Sequence, residues 1–224
     1  MCGRMVIVMR ETAIAERLKA FIDLNILVVP PNDDNTEPHP SYNVAPSALI
    51  PVITEVRDHI ELNTYRWGLI PHWAKDDSMA NKCFNARSET MAEKPTFRTA
   101  FKKSRCIIPI SGYYEWKKSA DTKKQPIYIT TSNKELLYLA GLCEPSTRSA
   151  TVVTRAAYGA LKEIHDRQPI PLNQAQLQAW LNPTTGPEDL LELVQSSRYP
   201  MTSYEVSTAV NNVRNNSKDL IEPL

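Results

Sequence analysis

No part of this 224-residue chain approaches the roughly 20 consecutive apolar residues that a membrane-spanning helix requires. Its apolar runs are broken by charge or proline, so no membrane partner is expected. The opening stretch, MCGRMVIVMRETAIAERLKAF, has no continuous apolar segment and no small-residue cleavage site. Secretion is therefore not expected, and a cytoplasmic location with reduced thiols is. Strong charge of either sign is lacking too: the formal net charge is +1, whereas a dedicated nucleic-acid coat would be strongly basic. Phosphate contacts must then come from a local patch rather than a global field. Cysteine is sparse. Cys2, Cys83, Cys106 and Cys143 form no C-x-x-C pair and show no zinc-finger spacing with histidine, so neither a metal nor a cofactor is expected. Repeats and a clean linker are also missing, and residues 1–224 read as one domain.

What is present is an ordinary globular composition on a chain long enough to bury a sizeable core. Ile14, Leu18, Phe21 and Ile22 recur at helical intervals and predict a helix over 11–27. Residues 30–48, rich in Pro, Asn and Asp, predict a long loop. Strands at 52–56 and 60–67 read as a hairpin, followed by an irregular stretch at 68–86. A helix is predicted over 89–103, with Pro95 at an end or a kink. Short strands are predicted at 105–110, 113–117, 127–130, 136–142 and 150–154. Helices at 172–181, capped by Asn173, and at 187–194 precede an irregular tail at 205–224. Such irregular alternation, without βαβ units, predicts an α+β fold. Mostly antiparallel, curved sheets would curl around a barrel-like core with flanking helices. The polar and aromatic segments 41–47, 67–76, 85–90, 111–116 and 163–169 are expected to wall one cleft.

Cys106 and Cys143 sit in apolar contexts and read as small core residues. Cys2 differs: next to Gly3 and Arg4 it has little in sequence to bury it. Removal of Met1, favoured before a small side chain, would leave an amine and a thiol on adjacent carbons. These groups titrate at roughly 7.7–8.0 and 8.5, so both nucleophiles are usable near neutrality. A 1,2-aminothiol condenses with an aldehyde to a Schiff base, which the thiol then closes to a thiazolidine. Glu115, between Tyr114 and Trp116 on a short aromatic strand with Tyr113, is expected to be desolvated, with a raised pKa suited to proton transfer. His165 can move protons and Arg167 can clamp phosphate. Asn85 and Arg87 pair an amide with a cation at an expected helix start. The aromatic loop from Trp67 through His72 and Trp73 offers stacking groups. Each signal alone also has an ordinary reading: a solvent-facing strand Glu, a surface turn before Pro169, a Ser88 helix cap, core tryptophans.

Together, Met-Cys-Gly-Arg, Tyr42-Asn43-Val44-Ala45-Pro46, Trp67-Gly68-Leu69-Ile70-Pro71, Asn85-Ala86-Arg87-Ser88-Glu89-Thr90, Gly112-Tyr113-Tyr114-Glu115-Trp116 and His165-Asp166-Arg167 resemble the SRAP family of abasic-site processing proteins, in order along the whole chain. The resemblance implies a DNA-binding cleft for single-stranded DNA containing abasic sites, including single-strand to double-strand junctions. It implies a DNA-repair role in the damage response, a monomer, and association with the nucleoid if the source is bacterial. It assigns Cys2 as the nucleophile of a covalent thiazolidine crosslink and Asn85 to hold the opened sugar. Glu115 would assist ring opening and proton transfer, and His165 would protonate the sugar oxygen and help reversal. Arg4, Arg87 and Arg167 would grip flanking phosphates, Thr154 would lie near the pocket, and Pro46 and Trp73 would shape a kinked strand. Gln168 and Ala74 depart from residues seen in relatives, which touches the pocket rim and the wedge. Lyase chemistry through the Schiff base, and Cys2-dependent autoprocessing, are compatible with the same residues. A cysteine peptidase-like enzyme and a non-catalytic single-strand-binding module stand as alternatives.

Overall fold

The computed structural model describes residues 2–19, 25–28, 40–56, 59–118 and 124–224. Along the chain run β1 (Met5–Ile7), α1 (Glu11–Lys19), β2 (Asn25–Val28), β3 (Ser41–Val44), β4 (Leu49–Val56), β5 (His59–Trp67) and β6 (Asn85–Arg87). Then follow α2 (Arg98–Lys103), β7 (Arg105–Ile110), β8 (Gly112–Lys118), β9 (Lys124–Thr130), β10 (Leu137–Glu144) and β11 (Ser149–Ala156). The last elements are β12 (Arg167–Pro169), α3 (Gln174–Leu181), α4 (Pro187–Ser196) and β13 (Thr202–Glu205).

The fold is α+β, mostly sheet, as the pattern predicts. Strands β11, β10, β7, β4 and β5 are neighbours in order, and β5 returns to β11 through the parallel pairs Arg66↔Ser149 and Trp67↔Ala150. This curled sheet therefore closes into a ring. Its central strands are buried on both faces, which is why Cys106–Ile110 and Leu137–Cys143 read as apolar runs: all six residues of β7 are buried, and seven of eight in β10. One face packs on the helices through Ile14, Leu18, Phe101, Leu177, Trp180 and Val194. The other faces a second sheet, ordered β13-β9-β8-β1-β3, around Met5, Ile50, Trp67, Ile108, Ile129 and Leu139. Cys106 and Cys143 lie in this core as expected.

Four expectations are corrected. Helix α1 stops at Lys19, and Asn25–Val28 forms a strand parallel to β5; the remainder of that expected helix, residues 20–24, lies outside the described residues. So short a run, with three apolar residues, carries no periodicity to separate helix from strand, and the edge of β5 supplies the hydrogen bonds. Within the expected loop, residues 30–39 lie outside the described set, but Ser41–Val44 pairs with β1. The expected helix over 89–103 shrinks to Arg98–Lys103, preceded by turns around Pro95, which lacks an amide donor and disfavours α geometry before it. The expected irregular tail, 205–224, is partly ordered: Glu205 ends β13, which joins β9, Val206 bridges to Pro223, and Val206, Val210 and Leu220 pack on Val6, Tyr114 and Tyr128.

Helices α2 and α3 are tied to the ring by one buried cation. Arg105 donates from Nε to the Trp180 carbonyl (2.7 Å), from Nη1 to Phe101 (3.0 Å) and Lys102 (3.3 Å), and from Nη2 to Asn182 (2.8 Å). It thus satisfies carbonyls at the C-terminal ends of both α2 and α3, which have no intrahelical partner. Replacement by methionine keeps bulk but strands those carbonyls. Arg105→Met is expected to lose about 2–4 kcal/mol in chemical denaturation; a change within about 0.5 kcal/mol would contradict this role.

Candidate active site

Strand β1 runs antiparallel to β8 with Met5 opposite Tyr113 and Val6 opposite Gly112. The pairing extends beyond the strand itself, since Tyr114 N–H donates to the Arg4 carbonyl at 2.9 Å. Residue 2 is thereby carried alongside Glu115. Strand β6 meets it from the other sheet: Asn85 pairs across from Val152 on β11, and its Nδ2 donates to the Cys2 carbonyl at 2.7 Å. The Asn85 Oδ1 is buried with no hydrogen-bond partner, an acceptor left available at the site. Asn85 and Arg87 stand on a strand, not at a helix start, because β6 is recruited as a parallel neighbour of β11.

Cys2 is fully buried, contrary to the expectation that little would cover it. The cover comes from residues remote in sequence: Cys2 lies in a core with Met5, Tyr113, Ala157 and Leu161. Burial, and then the negative charge of Glu115, push its thiol pKa well above the ordinary thiol range. The resting sulfur is a protonated thiol, not a thiolate.

Glu115 is 3% exposed and paired across from Ile127 on β9. Burial raises its pKa to about 7. The expected desolvation is present, but the aromatic flank divides. Side chains alternate along a strand, so Tyr113 shares the face of Glu115, while Tyr114 packs with Val6 and Val206 and Trp116 donates to Asn211 Oδ1 at 2.7 Å. Tyr113, fully buried beside Cys2 and Glu115, has its hydroxyl held protonated by burial and by those two neighbours. Its place in the quoted aromatic motif gave no sign that it, rather than Tyr114, would adjoin the cysteine.

His165 follows a 3-10 turn over Gly159–Glu163, and its own amide donates to the Leu161 carbonyl. Its Nε2 lies 4.0 Å from Glu115 Oε2. Its Nδ1 accepts from the Arg167 amide at 3.0 Å, which selects the neutral tautomer with the proton on Nε2, facing Glu115. The exposed Asp166 carboxylate also approaches Nδ1, at 2.7 Å, and can accept a proton-bearing Nδ1 only when the ring is charged or has changed tautomer. Burial holds the ring pKa below its usual value, opposed by Asp166. Thus Cys2, Asn85, Glu115 and His165 converge.

The expected phosphate-gripping residues are placed differently. Arg4 Nη1 donates to Asn43 Oδ1 (2.6 Å) and the Val210 carbonyl (2.8 Å), and the guanidinium lies 5.8 Å from the centre of the Trp116 ring. Asn43 in turn donates to the carbonyls of Val210, Asn212 and Asn215. Arg167 forms a two-point ion pair with Glu89 (2.6 and 2.9 Å) and donates to the Thr154 carbonyl (2.8 Å). Thr154 is fully buried behind it. Arg87 is exposed, two residues from Asn85, and Pro46 is half buried between β3 and β4. In the aromatic loop Trp67 is core, with its indole N–H donating to the Phe84 carbonyl at 2.9 Å, whereas Trp73 is half exposed. Gln168 is buried and accepts from the Tyr158 amide, and Ala74 closes a turn onto the Pro71 carbonyl. No sequence signal pointed to Glu89 as the partner of Arg167. Among the described residues no group of three or more His, Cys, Asp or Glu is arranged to hold a metal, and no helix is long and apolar enough to cross a membrane.

Comparison with known proteins shows the fold and the family. A solved protein from Bacteroides thetaiotaomicron, 22% identical, matches over all of both chains with a TM-score of 0.78, which shows a common fold. The chain is 41% identical over 195 residues to the abasic site processing protein YoqW of Bacillus subtilis, covering 83% of this chain and 87% of that protein. It is 32% identical over 197 residues to the abasic site processing protein YedK of Escherichia coli, covering 84% and 86%. Identity to the abasic site processing protein HMCES of Xenopus tropicalis is 33% over 225 residues, covering 83% and 67%. The family model described as SOS response associated peptidase (SRAP) matches residues 1–213, and the chain belongs to that family.

Proposed function

We propose that this protein processes abasic sites in single-stranded DNA by capturing the ring-opened sugar covalently on Cys2. The observation that carries the reading is the hydrogen bond from Asn85 to the Cys2 carbonyl, which seats residue 2 within reach of a carboxyl of pKa about 7 and a neutral imidazole. The names of the relatives, abasic site processing proteins, supply the substrate class.

In this mechanism Met1 is removed first. The Cys2 amine adds to the C1′ aldehyde of the open sugar, and the carbinolamine loses water to give a Schiff base. The thiol then adds across the C=N bond: sulfur bonds to carbon and the thiol proton passes to nitrogen, closing the thiazolidine. Glu115, about half protonated at neutrality, donates to the departing oxygen, and Nε2–H of His165 supports that oxygen from the other side. A protonated, buried thiol suits this order, in which the amine attacks first. It suits a thiolate-initiated peptide cleavage less well. Arg87 and Trp73, both exposed, are the groups most open to the flanking strand. Lyase cleavage from the Schiff base, reversal of the crosslink and self-processing are further outcomes of the same residues, and a preference for single-strand to double-strand junctions rests on Trp73 and Pro46.

Two tests follow. Cys2→Ala is expected to abolish the SDS-resistant adduct with abasic single-stranded oligonucleotide; equal adduct in the variant would sink the proposal. A non-catalytic binding module would instead bind intact and abasic strands alike, with no covalent product and a steep salt dependence.

Glu115→Gln is expected to slow adduct formation by about 10²–10⁴-fold and to remove the decline in rate as pH rises through about 7. The stability consequence has a defined sign. Glu115 keeps its proton to about pH 7 when folded, but an unfolded glutamate loses it near roughly pH 4.3. The folded state therefore binds more protons within that window, and stability falls as pH rises across it. The glutamine variant should unfold at a higher denaturant concentration than the parent at pH 8, with the gap closing towards pH 4. A constant gap would contradict the raised carboxyl.

A further inference from the structure

The Glu89–Arg167 pair links the two segments that bear Asn85 and His165. Glu89 follows Asn85 by four residues, and the intervening Ser88 amide donates to the Thr154 carbonyl at 2.8 Å. Arg167 begins β12, across from Ala156, two residues after His165. We propose that Glu89 is a positioning residue, which through Arg167 holds His165 in the tautomer that presents Nε2–H to Glu115. This deepens the functional reading above and rests on its assignment of the site.

The geometry is specific. Both terminal nitrogens of Arg167 are engaged by Glu89, at 2.6 and 2.9 Å, and Nη2 also reaches the Thr154 carbonyl (2.8 Å) and hydroxyl (3.3 Å). A planar guanidinium held at two points has its rotation fixed, not only its position. The Arg167 side chain is 11% exposed, so it is set into the protein rather than offered to solvent. The backbone amide of that same residue donates to His165 Nδ1. Fixing the side chain of Arg167 therefore fixes the direction of the amide that chooses the tautomer. Glu89 is charged at neutrality, because its hydrogen bonds from Arg167 pull its carboxyl down to about 2.

The other charged groups acting on the ring are the amino terminus, whose positive charge disfavours a second ring proton, Asp166, 2.7 Å from Nδ1, Lys124, and Glu115, 4.0 Å from Nε2. Asp166 favours a proton on Nδ1, the opposite tautomer. The Arg167 amide and the Asp166 carboxylate thus compete for one nitrogen, and Glu89 tips that competition. A phosphate entering the Arg167 fork would first have to displace a carboxylate already bound at two points. This makes Arg167 an internal strut in the resting protein.

The test is the ¹⁵N spectrum of the histidine rings, with His165 assigned through His165→Gln, at a pH above its titration. The parent should show the Nε2–H tautomer alone. Glu89→Gln should give a mixture with the Nδ1–H form, and Glu89→Asp, whose shorter side chain keeps the charge, should fall between them. The adduct-forming rate at saturating abasic oligonucleotide should drop about tenfold or more in Glu89→Gln, with the dissociation constant unchanged. An unchanged tautomer in folded Glu89→Gln would overturn the proposal. So would tighter oligonucleotide binding with an unchanged tautomer, which would mean that Glu89 merely fills a phosphate site. If Glu89→Gln does not fold, the aspartate variant decides by the same spectrum. The spectrum needs no DNA, so the tautomer question is answered even if the parent forms no adduct and the functional reading fails.

Discussion

The arrangement depends on how the amino-terminal residues are held. A chain end ordinarily frays, because it has water on most sides and few partners. Here β1 is hydrogen-bonded on both edges, to β3 and β8, and the pairing continues to the Arg4 carbonyl. The Asn85 amide then takes the Cys2 carbonyl from the other sheet. Residue 2 becomes part of the core, and the two sheets meet at it.

Burial at this junction sets the chemistry of three groups at once. It raises the Glu115 carboxyl to about 7, keeps the Cys2 thiol protonated and lowers the His165 imidazole below its usual value. All three are displaced towards their neutral forms, the expected response to a low-dielectric setting. A carboxyl of pKa about 7 and an imidazole held towards its neutral form then stand 4.0 Å apart. The arginines act differently. Arg4, Arg105, Arg155 and Arg167 donate mainly to carbonyls or to a carboxylate, and they dock the tail, α2 and α3, α4, and the β6 segment respectively. Their charge is spent on architecture, consistent with a net charge of only +1.

Much of the fold could be read from residue order, and the reasons are local. The Cys106–Ile110 and Leu137–Cys143 runs of β7 and β10 are apolar because both faces are covered, and the Asn173 cap of α3 carries its own signature, a reciprocal bond with Gln176. Pro95 announced a helix limit that falls later than the spacing suggested. The identities of the converging residues were legible through family resemblance, and that of Glu115 also through its awkward place on an aromatic strand. Their environment was not. Cys2 looked exposed because its neighbours in sequence are Gly3 and Arg4, whereas its neighbours in space come from β8 and the 157–161 region. The occupation of Arg167 by Glu89 was invisible for the same reason: a two-point ion pair between distant segments leaves no periodic trace.

The central claim concerns one atom pair on one residue, the amine and sulfur of Cys2. Incubation of the protein with an oligonucleotide bearing a single abasic site, followed by intact-mass and peptide-level mass spectrometry, addresses it directly. The account predicts a one-to-one adduct on a chain that begins at Cys2, with both the amine and the sulfur of that residue consumed. An adduct on a lysine, or on a chain that still carries Met1, would contradict it.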